Sequence, residues 1–212
     1  LPSSSKWALG GDRDSSALPT LLDVTDAKSS HGTILTAQED GSFLASGPMP
    51  ANETYAFSGT SSVRRITGFQ LEALTHASLV KPMGGLSRGN GNFVLTYVEV
   101  RVQHPGQDAV PVKMASAVAD FSQNGLSIRG SLSADANTGW AVYPTPLGQK
   151  RTAIFYPETP VETHPETVIT IRLVHGSQYA QHVIGRPRLS VFSDASPALP
   201  AADTSKKVII VS

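Results

Sequence analysis

The sequence predicts an all-β protein, a two-sheet antiparallel β-sandwich of the jelly-roll type. Only 16% of the residues are charged, while glycine and proline number 18 and 15. This composition suits many short strands joined by turns. Strand-like segments also recur roughly every 10 to 20 residues with turn signals between them, and no segment has a convincing helical period.

The predicted strands are short segments in which apolar residues alternate with polar or small ones. The strongest covers residues 93–102, where β-branched and aromatic residues dominate. A second covers 167–174, with Ile and Val on one face and Thr and Arg on the other. The turn at Glu39-Asp40-Gly41 joins two strands into a hairpin. The remaining predicted strands are 33–36, 42–45, 54–57, 66–74, 126–132, 153–156 and 185–192.

The 212 residues are enough for one large sandwich with its own core. We expect residues 1–30, which hold few apolar positions, to be an N-terminal arm or edge segment. Residues 31–195 then form the sandwich domain. Residues 196–212 begin with Ser196-Pro197 and are expected to be a linker or C-terminal extension.

Composition disfavours several classes of partner. Lys+Arg and Asp+Glu both number 17, so the chain has no basic surplus for a nucleic acid. Cysteine is absent, which removes disulfides, thiolate nucleophiles and Cys-based metal sites. No stretch approaches the ~20 apolar residues of a transmembrane segment. The chain opens with Leu1-Pro2-Ser3, and we interpret it as a mature or excised fragment.

Catalytic patterns are weak, and we expect the protein not to be an enzyme. Residues 85–89 match the letters of a Gly-x-Ser-x-Gly elbow, but they lie between predicted strands with no helix after them. The six histidines, at 31, 76, 104, 164, 175 and 182, show no metal-binding pair spacing. His175 and His182 flank the turn 176–179 and could converge across a hairpin, although ordinary loop histidines are the simpler interpretation. Paired glycosidase carboxylates need only spatial convergence, so sequence spacing does not test them.

The loop 133–140 is the first candidate site. Asp135 and Asn137 offer hard oxygen ligands in one short turn, which suits a structural Ca²⁺. Trp140 ends the loop, and an exposed indole can stack on a sugar ring. In the alternative interpretation Asp135 and Asn137 cap the turn and Trp140 belongs to the core.

The loop 88–92 is the second candidate site. Arg88, Asn90 and Asn92 place a guanidinium and two amides on a glycine-rich loop, which is a polar recognition surface. In the alternative interpretation the glycines supply positive φ angles and the asparagine side chains satisfy buried backbone groups.

Seven blocks of the sequence, taken in order, resemble a known family. The most specific are Gly-Asn-Phe-Val-Leu at 91–95 and Gly-Arg-x-Arg-Leu-Ser at 185–190, and the seven cover 40–47, 53–55, 69–74, 89–96, 119–123, 138–142 and 182–191. They resemble the β-sandwich segment of large planctomycete surface proteins that also carry a planctomycete-type cytochrome c domain. The family usually has Phe where this chain has Pro187. Arg186, in the last block, joins the candidate ligand-binding residues, and the resemblance implies a secreted, periplasmic or cell-surface location.

The segment around Asp135, Asn137 and Trp140 more distantly resembles the discoidin or galactose-binding-like superfamily. That resemblance implies glycan binding through end loops and a structural Ca²⁺. The leading hypothesis is therefore a non-catalytic carbohydrate-binding or adhesion module that uses Trp140, Arg88, Asn90 and Asn92. The alternative is a structural or protein-interaction domain that packs against neighbouring domains in a large surface or redox assembly.

Overall fold

The computed structural model describes residues 18–79, 85–145 and 148–193. These residues form strands and one short 3-10 helix, Ile128–Leu132, so the predicted all-β class is confirmed. The strands are β1 Thr20–Leu21, β2 Asp23–Ser29, β3 Ile34–Ala37, β4 Phe43–Ser46, β5 Glu53–Thr60, β6 Arg65–Ile66, β7 Gly68–Ala73, β8 Val94–Leu95, β9 Tyr97–Gln103, β10 Val110–Val112, β11 Met114–Ala119, β12 Trp140–Ala141, β13 Arg151–Pro157, β14 Val161–Glu162, β15 Val168–His175 and β16 Pro187–Phe192.

Two five-stranded antiparallel sheets make up the body of the protein. The first has the strand order β1-β16-β7-β13-β11, and the second has the order β10-β9-β15-β5-β2. Three two-stranded pairs, β3-β4, β8-β12 and β6-β14, complete the described structure. The β3-β4 pair is the predicted hairpin around Asp40. Among the described residues, no helix has the length and apolar character needed to cross a membrane.

The core lies between the two sheets because each central strand turns alternate side chains inward. In β5, Tyr55 and Phe57 are buried, while Ala56 between them is partly exposed. Phe69 and Leu71 of β7 enter the same apolar cluster from the first sheet, and Ile171 of β15 enters it from the second. One continuous cluster thus joins both sheets, which is the arrangement of a sandwich.

The N-terminal part of the described chain crosses from one sheet to the other. β1 pairs with β16 at the edge of the first sheet, and β2 pairs with β5 at the edge of the second. Leu22 lies at the crossing and is only 5% exposed. Residues 20–29, expected in an arm or edge segment, are therefore edge strands of the sandwich. The expected linker 196–212 lies outside the described residues.

The predicted strand at 126–132 is wrong. Residues 128–132 form the 3-10 helix, in which the Gly130 N–H donates to the Ser127 carbonyl at 2.9 Å. A Cβ on Gly130 would lie 2.6 Å from the Gly139 nitrogen, so the turn places glycine where the backbone of another loop approaches. The alternating pattern in this segment was too short to distinguish a strand from a tight turn.

Strand register decides which loops share an end of the sandwich. Val174 of β15 pairs with Thr54 and Tyr97, whereas Ile169 pairs with Gly59 and Val102. One end carries the loops before β5 and β9 and after β15. We call it the amide end, formed by residues 85–93, 122–126, 136–143 and 176–183. The other end carries the loops after β5 and before β15. We call it the charged end, formed by residues 60–64 and 163–167.

Candidate functional site

Asn92 joins three loops of the amide end. It is 4% exposed, and its Oδ1 accepts a hydrogen bond from the Val142 N–H at 3.1 Å. Its Nδ2 donates to Oε1 of Gln123 at 3.2 Å, and the same Oε1 accepts from the Tyr143 N–H at 3.3 Å. Segments far apart in sequence are therefore fixed by one buried amide. Asn92 positions these loops and presents no free group to a ligand.

Asn90 connects this network to the exposed aromatic ring of Tyr179. The side-chain nitrogen of Asn90 lies 2.8 Å from Nε2 of His182. The His182 ring in turn lies 5.6 Å from the ring of Tyr179, measured between centroids, at an interplanar angle of 50°. Tyr179 is 47% exposed. The result is an accessible phenol ring supported from behind by a histidine and an asparagine.

A cleft of about 250 Å³ opens beside Tyr179. Its polar lining consists of amides and hydroxyls, and no described Asp, Glu, Lys, Arg or His belongs to it. Such a surface offers hydrogen-bond donors and acceptors without charge. The lining residues are Val94, Gln123, Asn124, Gly125, Leu126, Ala136, Asn137, Thr138, Ser177, Gln178 and Tyr179.

Trp140 does not present its ring to a ligand, which corrects its expected role in sugar stacking. The residue is fully buried, and its Nε1–H donates to the Phe121 carbonyl at 2.8 Å. Its ring packs edge-on against Phe93, with centroids 5.0 Å apart. These contacts satisfy both the apolar body and the polar tip of the indole inside the protein. The alternative interpretation of Trp140 as a core residue is the correct one.

Arg88 and Arg186 are engaged in contacts within the fold. Arg88 donates to the carbonyls of Gly47 and Pro48 and so ties its loop to the chain after β4. Arg186 donates to Asp40 at 3.0 Å, and also to the Ser42 hydroxyl and the Thr75 carbonyl. Both guanidinium groups therefore fix loops, and neither lines the cleft beside Tyr179.

Asp135 and Asn137 form a local turn. Oδ1 of Asp135 accepts from the backbone N–H of Asn137 at 2.9 Å and from its side-chain nitrogen at 3.1 Å, which is the pattern of an Asx turn. In the described ranges, no group of three or more His, Asp or Glu side chains is placed to hold a metal ion. Calcium binding by Asp135 and Asn137 stays a prediction.

Of the residues that line the cleft, the sequence predicted Asn137, and it also predicted Asn90 and Asn92, which lie behind the cleft. It missed Asn124, Gln178 and Tyr179. Gln178 and Tyr179 lie in the turn 176–179, which the sequence does predict between His175 and His182. The neighbouring loop 122–126 carried no such signal, because its approach depends on the pairing of β8 with β12.

Comparisons with protein-family models, with curated proteins and with solved structures give no match for this chain. The fold and the cleft together define an antiparallel all-β sandwich with an uncharged polar cleft at one end.

Proposed function

We propose that the protein is a non-catalytic carbohydrate-binding or adhesion module that binds a neutral sugar in the cleft beside Tyr179. The observation that carries the proposal is the lining of that cleft by amides and hydroxyls without a charged side chain. Sugar hydroxyls both donate and accept hydrogen bonds, and amide and hydroxyl side chains complement them in both roles. The proposal includes the exported or cell-surface location that the family resemblance implies.

Tyr179 supplies the apolar part of the proposed recognition. An aromatic ring that is about half exposed can stack on the C–H face of a sugar while the neighbouring amides of Asn137 and Gln178 bond its hydroxyls. The cleft is smaller than the ~300–1,000 Å³ pockets typical of drug-sized ligands. We therefore propose that it holds a single sugar residue, such as a chain end or a branch.

The proposal extends to the fold type, a jelly roll of the galactose-binding-like kind. Its support is the strand order, which is β1-β16-β7-β13-β11 in the first sheet and β10-β9-β15-β5-β2 in the second. Among the described strands, the first, β1, thus lies beside the last, β16, and the chain passes repeatedly between the sheets. Two Greek keys wound together produce this kind of order.

A glycan-array screen of the full chain tests the function, followed by titration of the best glycan against two matched variants. Tyr179→Ala is expected to weaken binding by about tenfold or more, because the variant lacks the aromatic ring that stacks on the sugar and excludes water from the contact. Tyr143→Ala is the control, since Tyr143 is 44% exposed and does not line the cleft. Equal weakening by both variants, or no glycan bound by the array, would contradict the proposal.

The same titration, repeated with a chelator, tests calcium. Loss of glycan binding that added Ca²⁺ restores, together with the same loss in Asp135→Ala, is the result expected if the 135–137 turn holds a structural ion. Unchanged binding in chelator removes calcium from the proposal and leaves the sugar site intact.

One observation favours the alternative function as a protein-interaction domain. Val110 of β10 and Val118 of β11 are 54% and 38% exposed, and β10 and β11 are edge strands of different sheets that only Lys113 separates in the chain. Exposed apolar side chains on adjacent edges fit contact with a neighbouring domain better than contact with a sugar. A Val110→Lys/Val118→Lys double variant that keeps glycan binding but loses attachment to the parent polypeptide's other domains would support this second function.

A further inference from the structure

A second and larger cleft, of about 450 Å³, lies at the charged end of the sandwich. It is built where β2 begins, where β5 ends and where the chain leads into β15. Its polar lining differs from that of the cleft beside Tyr179, because it includes an arginine, an aspartate and a histidine. The lining residues are Leu21, Asp23, Thr60, Ser61, Ser62, Arg64, Thr163, His164 and Pro165.

In the part of the chain that the structure describes, Arg64 and Asp23 of this cleft have no ion-pair partner. Arg64 is exposed, and its guanidinium makes no ion pair or hydrogen bond with any described residue. The adjacent Arg65, by contrast, pairs with Glu162 at 3.2 Å. Asp23 is also exposed and forms no ion pair in the described part of the chain, with Arg64 or otherwise. Within the described ranges, Arg64 and Asp23 therefore form no ion pair with each other or with another side chain.

The hydroxyls of the cleft divide into two groups. Ser61 and Thr163 are buried and hold the loop itself, because the Ser61 hydroxyl accepts from the Val63 N–H and the Thr163 hydroxyl donates to the Val63 carbonyl. The hydroxyls of Thr60 and Ser62 have no hydrogen-bond partner among the described residues. The loop is therefore fixed by one pair of hydroxyls, and the other pair is available to a ligand.

The His164 side of the cleft is also fixed in place. The His164 backbone N–H donates to the Thr167 hydroxyl at 2.9 Å, and its ring lies 5.9 Å from the ring of His104. Pro165 follows directly and restricts the backbone further. The backbone on this side of the cleft, at His164 and Pro165, is thus preorganised, while the His164 ring itself is exposed.

We propose that this cleft binds a small hydroxylated carboxylic acid, of the uronic acid class. Arg64 takes the carboxylate, because a guanidinium presents parallel N–H donors that match the two oxygens of a carboxylate. Asp23 accepts hydrogen bonds from ring hydroxyls, and Thr60 and Ser62 bond the hydroxyls beside them. A simple inorganic anion engages Arg64 and brings no ring hydroxyls to Asp23, whereas an acidic sugar brings a carboxylate for Arg64 and hydroxyl donors for Asp23. The inference is independent of the neutral-sugar cleft at the amide end.

The test is a titration of the full chain with sodium glucuronate, followed by NMR of the backbone amides of residues 60–64 and 163–164 and of the Arg64 side-chain N–H. Glucose and inorganic phosphate are titrated in parallel. The expected result is saturable shifts at these positions with glucuronate and weaker effects with glucose and with phosphate.

Two matched arginine variants locate the effect. Arg64→Gln is expected to raise the dissociation constant for glucuronate about tenfold or more, because it removes a charge-assisted hydrogen bond. Arg129→Gln is the control, since Arg129 is also exposed and without a described partner but lies on the 3-10 helix. Because neither guanidinium has a partner among the described residues, both variants are expected to keep the wild-type spectrum elsewhere.

Asp23→Asn separates an acidic-sugar site from a simple anion site. It is expected to weaken glucuronate binding and to strengthen phosphate binding, because a negative charge is removed from the cleft while the strongest acceptor for hydroxyls is lost. The proposal is overturned if glucuronate causes no saturable shifts at tens of millimolar, if Arg129→Gln weakens binding as much as Arg64→Gln, or if phosphate or glucose binds as well as glucuronate.

Discussion

His175 is a buried ionisable residue at the end of β15. Its ring lies against Tyr55, with centroids 5.6 Å apart, and Nε2 accepts from the Ile184 N–H at 3.4 Å. Burial lowers the pKa of His175 to about 4, with Glu53 acting in the opposite direction. The neutral ring is therefore the form that the core accommodates.

Glu53, beside His175, is also buried but keeps its charge. Its carboxylate accepts hydrogen bonds from the Thr33 hydroxyl at 2.7 Å, from the Thr54 N–H at 2.8 Å and from the Ser30 N–H at 2.9 Å. Burial alone raises the pKa of Glu53, but these hydrogen bonds outweigh it and the net pKa is below the ordinary value. The two neighbouring groups thus respond to burial in different ways because only one of them is surrounded by donors.

We predict that the protein loses stability between pH 6.5 and 4.5 because of His175. The folded pKa of His175 lies below the unfolded value, so the unfolded state binds the proton first as pH falls through this range. Proton binding stabilises the unfolded state, and the free energy of unfolding therefore decreases. The loss reaches about 3 kcal/mol near pH 4, by the pKa difference. Glu53 adds to it only below its unfolded pKa of about 4.5, since its own folded pKa is lowered. Urea unfolding at a series of pH values measures the effect.

The control for this prediction is His175→Gln, which keeps an acceptor for the Ile184 N–H and cannot titrate. The variant is expected to be less stable at pH 7 but to show a flatter dependence between pH 6.5 and 4.5. Asp120, whose pKa is raised by burial, has the opposite pH dependence and is present in both proteins, so it cancels in the comparison. Equal slopes in the two proteins would exclude His175 as the cause.

The sequence predicted the strands better than it predicted the roles of individual residues. The sequence offered Trp140 as either a ligand-stacking or a core residue, and a partner such as the Phe121 carbonyl lies 19 positions away. Tyr179 had no feature that separated it from any other loop tyrosine. The exposure of a loop side chain depends on the loops that surround it, and these come from distant parts of the chain.

At the scale of the elements, alternation predicted the central strands because each buries one face. Residues 167–174 coincide closely with β15, and residues 54–57 lie within β5. The segment 93–102 is interrupted at Thr96, whose N–H and hydroxyl both donate to the Val174 carbonyl. β2 was missed because, as an edge strand with Asp26 and Lys28, it buries little.

We predict that Gly59→Ala selectively loosens β2. A Cβ on Gly59 would lie 2.1 Å from the Asp23 carbonyl oxygen, at the point where the β2–β5 register shifts between Val24 and Asp26. The atoms nearest this Cβ belong to the backbone of Asp23 and Val24, which cannot turn away as a side chain can. β2 must therefore move, at an expected cost of about 1–3 kcal/mol. Hydrogen exchange should show lost protection in β2, while β7 and β13 stay protected.

Gly106→Ala is the control for this variant. Its Cβ would meet nothing within 4 Å, although its φ of +72° is unfavourable for alanine. It is expected to cost about 1–2 kcal/mol without loosening β2. A Gly59→Ala protein with wild-type exchange in β2 would show that the strand tolerates the added methyl group.

At the scale of the whole molecule, the sites arise from strand order rather than from sequence proximity. The cleft beside Tyr179 combines loops near residues 124, 137 and 178, and the cleft beside Arg64 combines loops near 23, 61 and 164. The strand pattern predicts where loops occur in the sequence. Which loops lie next to each other depends on strand pairing, such as that of β15 with both β5 and β9. The fold class was therefore accessible from the sequence, while most of the site was not.

Leu22 tests whether the crossing between the sheets holds the sandwich closed on that side. Its N–H donates to the Leu189 carbonyl in the first sheet at 3.1 Å, its side chain lies in the shared core, and β2 of the second sheet begins at the next residue. We predict that Leu22→Ala costs about 2–5 kcal/mol in urea unfolding. Leu21→Ala, at a neighbouring position that is 46% exposed, is expected to cost less than about 1 kcal/mol. Similar costs for both variants would mean that the crossing is peripheral and that the sheets are held together by the central strands alone.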